Sequence, residues 1–139
     1  MKILVPVDGS PYSLKAVETA VELAKAKPST SLVITAVAVE IPELEEGVYI
    51  AEKMRAQAQA ALAKAKEVAQ GDGLTVESIL LTGVSPAEEI VQAAKIQKAD
   101  LIVLGSRGLA GKTKSFLGST ASQVVTYSPC SVLVVKSQD

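Results

Sequence analysis

Gly105-Ser106-Arg107-Gly108, a spacer of nine residues and then Gly118-Ser119-Thr120 make a stretch suited to holding an anion. Glycines let backbone N–H groups approach a charged oxygen with no Cβ in the way. Arg107, Lys112 and Lys114 add positive charge, and no acidic residue occurs between Leu101 and Gln138. The opposite pole is Glu40 to Glu52, which holds five glutamates and no cation, so the net charge of −1 conceals a strong asymmetry. That acidic run lacks metal-ligand spacing and reads as a solvated face or a surface for a protein partner.

Three readings fit the glycine stretch. Ser106 to Thr113 ends in Gly111-Lys112-Thr113 and misses a P-loop only at its first position. A P-loop, however, follows an early strand and needs a second strand ending in Asp, and nothing downstream of Thr113 supplies one. The second reading is a loop whose glycines relieve crowding and whose Ser119 or Thr120 caps a helix. The third is nucleotide binding, with phosphate oxygens received at a helix N-terminus.

The elements that must position these residues alternate along the chain. Lys2 to Val7 reads as a buried strand. Ser10 and Pro11 are the N-cap and first position of a helix reaching about Lys27, with Leu14, Val17, Val21 and Ala24 on its apolar face. Strand two spans Leu32 to Val39, and an alanine-rich helix runs from about Ile50 to Gln70, stopped by Gly71-Asp72-Gly73. Val76 to Leu81 is strand three, Ser85 and Glu88 form a capping box, and that helix ends near Lys98. Leu101 to Leu104 is strand four, a short helix starts near Ser119 and stops at Ser128-Pro129, and Val132 to Val135 is strand five. Right-handed crossovers then give one doubly wound α/β domain over residues 1–139, with a mainly parallel five-stranded sheet and helices on both faces. With strand order 3-2-1-4-5, Asp8 and Gly105 face one crevice at the point where the winding reverses.

Absences narrow the chemistry. The chain has no His, which excludes Ser-His-Asp and Cys-His catalysis and histidine-ligated zinc. Cys130 is the only cysteine, so there is no internal disulfide, and it reads as a small hydrophobe. Aromatics are 3% of residues and the pI is about 5.5, which argues against nucleic acid as a partner. No apolar run is long enough for a membrane span or a secretory signal, and a cytoplasmic location is the default. Tyr12, Tyr49 and Tyr127 show no pattern.

On these residues the chain resembles the ATP-binding branch of the universal stress protein family. The resemblance rests on Val5-Pro6-Val7-Asp8-Gly9-Ser10, on Val103 to Gly108, on the Gly-x2-Gly-x9-Gly-Ser spacing that ends at Ser119, and on Cys130 to Val135, and covers essentially the whole chain. One departure is Ser131, where the family often has proline. The resemblance implies that Pro6, Val7 and Asp8 line the adenosine end and that Val37 offers backbone groups to the base. It places Gly105 and Gly108 against ribose and phosphates, and Gly118, Ser119 and Thr120 around the phosphate chain. Arg107 or Lys112 would touch phosphate if the loop closes. Read without the glycine motif downstream, Asp8 is better explained as a turn residue capping the first helix. The resemblance further implies a stress-response or signalling homodimer joined through Val132 to Val135, an apolar strand at the sheet edge, with ATP as ligand and magnesium carried mainly by its phosphates.

Two other α/β readings fit poorly. A phosphoacceptor receiver needs clustered carboxylates on strand one, whereas Asp8 stands alone, and a flavin carrier needs aromatics around its ring. The remaining alternative is an ATP hydrolase or phosphotransferase using the same crevice. No carboxylate in the phosphate loop is available to position water, which favours binding with slow or no hydrolysis.

Overall fold

The structure is a computed structural model that describes residues 1–41, 47–71, 73–108 and 117–136. Strand β1 (Lys2–Pro6) leads through Asp8 and Gly9 into helix α1 (Pro11–Ala26). The Ser10 hydroxyl accepts the Ser13 N–H at 3.2 Å, and Pro11 opens the helix where no N–H is needed. Strand β2 (Ser31–Val39) is followed by helix α2 (Gly47–Ala69), which starts three residues before the expected Ile50. Strand β3 (Thr75–Gly83) precedes helix α3 (Pro86–Gln97), where the Ser85 hydroxyl accepts the Glu88 N–H at 3.3 Å, half of the expected capping box. Lys98 closes that helix in the left-handed region at φ 55°. Strand β4 (Leu101–Gly105), helix α4 (Ser119–Tyr127) and strand β5 (Ser131–Val135) complete the order.

All four strand pairings are parallel and the order is β3-β2-β1-β4-β5. Side chains alternate between two cores because strand periodicity is two. Ile3, Val5, Leu32, Ile34 and Val103 join α1 and α2 on one face, while Leu4, Val33, Ile102 and Leu104 join α3 and α4 on the other. With both faces covered, the central strands carry near-continuous apolar runs.

Small residues let the helices sit close. Ala58, Ala61, Leu62, Ala65 and Ala69 form the buried stripe of α2. On α1 the buried set is Ser13, Ala16, Val17, Ala20, Val21 and Ala24, so the expected Leu14 is only half-buried and the alanines do more of the packing. Cys130 is likewise half-buried, against the α3/α4 core. Among the described residues no helix is long and apolar enough to cross a membrane. Glu40 and Glu52 are exposed, and the other three glutamates of the acidic run, Glu43, Glu45 and Glu46, lie outside the described residues.

Candidate functional site

Parallel strands that share a direction end on one edge of the sheet, and at the β1/β4 reversal the flanking helices diverge and leave a crevice. A cavity of about 540 Å³ opens there, well within the range of small-molecule sites. Its walls include Pro6, Val7 and Asp8 after β1, Val37 on β2, Gly105, Arg107 and Gly108 after β4, and Gly118, Ser119 and Thr120 at the start of α4. These are ten of the residues singled out from the sequence. Lys112, the remaining one, lies outside the described residues, as does Lys114.

The two ends of the cavity differ in polarity. Toward β2 its lining is the apolar Ala36, Val37, Val39, Met54 and Ala58, with Gln57 the one polar residue among them. Toward α4 it is Gly108, Gly118, Ser119, Thr120 and Arg107. Asp8, just beyond the end of the central strand β1, stands between. Strands β2 and β4 are two spacings apart, roughly 10 Å.

Backbone groups are available at both ends. Strand β1 leaves the sheet after Pro6, opposite Thr35, and the last contact is Val7 N–H to the Thr35 carbonyl at 2.7 Å. Strand β2 continues to Val39 beside β3. In a parallel strand alternate residues turn their N–H and C=O to the same neighbour. Val37, two beyond Thr35, therefore directs its N–H and C=O to the side that β1 has vacated. At the other end, α4 begins at Gly118 with no side-chain cap, in contrast to the serine caps of α1 and α3. The orphan N–H groups of its first turn are positioned to meet an anion.

The three glycines of the spaced motif do different jobs. A Cβ on Gly105 would lie 2.7 Å from the Tyr12 carbonyl oxygen and 2.8 Å from its carbon, so the first turn of α1 occupies that space. A Cβ on Gly108 would lie 2.6 Å from the Asp8 Oδ2 atom. The other Asp8 oxygen, Oδ1, accepts the Ser10 N–H at 2.9 Å, while the Asp8 N–H donates to the Ser13 hydroxyl at 3.3 Å. Both the turn role and the crevice role of Asp8 are thus compatible with one geometry. Gly118 differs from the other two. Its φ of −61° suits any residue, and the nearest atoms to an added Cβ, Arg107 Cα and the Ser106 carbonyl oxygen, are 3.4 Å away, in ordinary contact. Among the described residues nothing requires glycine at 118.

The sequence reading missed the contribution of α2 and α3, which add Met54, Gln57, Ala58, Pro86 and Ile90 to the cavity. For α2 the signal was present: Met54, Gln57 and Ala58 are spaced i, i+3, i+4 and share one helix face, which runs on from Ala58 into the buried alanine stripe.

Comparison with known proteins follows this geometry. The profile described as "Universal stress protein family" matches residues 1–136. The chain is 39% identical over 139 residues to universal stress protein MJ0531 of Methanocaldococcus jannaschii, covering 97% of this chain and 81% of that one. Among solved structures, that of hypothetical protein MJ0577 superposes with a TM-score of 0.85 at 28% identity, covering 99% of this chain and 96% of that one. A universal stress protein solved in complex with cAMP superposes with a TM-score of 0.74 at 31% identity, covering 97% and 96%.

Proposed function

The chain belongs to the universal stress protein family, and from that premise we propose that it binds ATP in the β1/β4 crevice and works as a nucleotide-dependent stress-response homodimer. The observation that carries this reading is Gly118, a glycine that neither its backbone conformation nor its packing among the described residues demands, set at the uncapped start of α4 and on the cavity wall. An approaching phosphate oxygen is what a Cβ would obstruct there. The base occupies the apolar end against Pro6, Val7 and the open backbone of Val37, and Asp8 accepts hydrogen bonds from the ribose. Gly108, Ser119 and Thr120 surround the phosphates, with Arg107 beside them. Gly105 serves mainly to seat α1. The cAMP complex of a relative at 31% identity supports an adenine nucleotide in this fold. Magnesium, which keeps most of its waters, would be carried by the phosphates.

Slow turnover follows from the cavity's lining, in which Asp8 is the one carboxylate among the described residues. It lies beside the ribose, with one oxygen engaged by Ser10 and the other against Gly108. Among the described residues no second acid lines the cavity to orient water at the phosphates. ATP at 100 times its dissociation constant should therefore stabilise the fold by about 2.7 kcal/mol, read as a raised melting temperature. Steady-state phosphate release with magnesium should stay well below about 1 per second, the lower bound of ordinary enzyme rates. Release at or above that rate, abolished by Lys112→Ala while ATP binding survives, would instead make the protein a hydrolase.

For the homodimer the supporting feature is β5, which pairs with β4 on one side and has no strand on the other among the described residues. Its Val132 and Val134 pack inward on the α3/α4 core, whereas Leu133 is 38% exposed. An unpaired apolar edge favours isologous pairing with a second copy. Leu133→Lys should give monomer in analytical ultracentrifugation where wild type at micromolar concentration gives dimer; monomeric wild type would reject the interface.

A further inference from the structure

We propose that Tyr12 is a positioning residue that holds the Arg107 guanidinium at the anionic end of the bound nucleotide, a role that rests on the ATP-binding reading above. The Arg107 Cζ atom lies 5.8 Å from the centroid of the Tyr12 ring, within cation–π range, and Arg107 is also part of the cavity wall.

The platform is fixed with respect to the strand that carries the arginine. Tyr12 is the second residue of α1, whose start is held by the Ser10 cap and by the Asp8 N–H donating to Ser13. Its carbonyl fills the space over Gly105, two residues before Arg107. Helix and strand end are therefore seated directly on one another.

Arginine suits this arrangement where lysine would not. A guanidinium attracts an aromatic ring through its face and keeps its N–H donors in the plane, directed outward from the edges. The cation–π contact with Tyr12 and donation to phosphate make different demands on the group and are compatible. The long arginine side chain, otherwise costly to order, is partly ordered before the ligand arrives.

The test is calorimetric affinity for ATP and for adenosine, which lacks the anionic tail, on wild type, Tyr12→Leu, Tyr12→Phe, Arg107→Met and the Tyr12→Leu/Arg107→Met double variant. Tyr12→Leu should weaken ATP by about 3- to 5-fold, the strength of an exposed cation–π contact, and leave adenosine unchanged. Tyr12→Phe, which keeps the ring, should restore wild-type ATP affinity. Arg107→Met should weaken ATP by about 10-fold, as expected for a charge-assisted contact, and adding Tyr12→Leu to it should cost nothing more. Should Tyr12→Leu fail to fold, Tyr12→Met takes its place in every arm. Unchanged ATP affinity in Tyr12→Leu, equal weakening of adenosine and ATP, or losses that add in the double variant would each overturn the proposal while leaving the ATP reading intact. Wild type that binds neither ligand would overturn both.

Discussion

Gly118→Val is expected to bind ATP at least about 10-fold more weakly than wild type, a loss of roughly 1.4 kcal/mol, while remaining folded. The two halves of that expectation have separate causes. A β-branched side chain at the start of α4 projects into the space a phosphate oxygen would take beside the Ser119 and Thr120 N–H groups. Its Cβ meets the nearest described atoms in ordinary contact at 3.4 Å, on backbone whose φ of −61° and ψ of 159° suit valine. Loss of glycine as N-cap costs up to about 1 kcal/mol of stability. Gly118→Ser sharpens the contrast. Serine is the better cap, so stability should hold or rise by a few tenths of a kcal/mol, yet its hydroxyl would compete with phosphate for the same N–H groups and ATP affinity should fall. Calorimetry for affinity and thermal unfolding for stability read the two effects independently.

Gly105→Ala should behave in the opposite way, losing stability first. Its Cβ would be driven to 2.7 Å from the Tyr12 carbonyl oxygen, a backbone atom that can yield only if α1 moves. Overpacking of this kind costs about 1–3 kcal/mol, which for a domain of this size is a fall in melting temperature of roughly 4–12 °C. An unchanged melting temperature would show that α1 is not seated on the end of β4 in the way described. Two glycines thirteen positions apart in one motif would thus be separated experimentally, one demanded by the fold and one by the ligand.

Much of this was legible in the residues themselves. Short β-branched runs alternating with capped, amphipathic helices led to the 3-2-1-4-5 sheet that the structure contains, because each local signal, such as Ser10 before Pro11 or Ser85 ahead of Glu88, acts within a few residues of where it is read. The crevice followed from the winding, and ten of the singled-out residues line it. What escaped depended on tertiary packing. The identical letter G at 105, 108 and 118 conceals three different neighbours, and only coordinates show that Tyr12, Asp8 and the Ser106–Gly108 backbone respectively stand over them, the last at ordinary contact distance. Tyr12 showed no pattern because its partner Arg107 is ninety-five positions away in the chain. The α2 wall was overlooked for a related reason: Met54 and Gln57 sit in an alanine-rich helix whose pattern announces a buried face but not that its first turns extend past the sheet edge.

The account stands most directly on where ATP's phosphates sit, and backbone amide chemical shifts during an ATP titration of the ¹⁵N-labelled protein measure that. The predicted result is that the largest shifts fall on Gly118, Ser119, Thr120 and Ala121 at the start of α4, with a second group at Val37, and that adenosine reproduces the Val37 shift while sparing the α4 amides. Shifts confined to other parts of the surface, or an α4 start that ATP leaves unmoved at saturation, would contradict it.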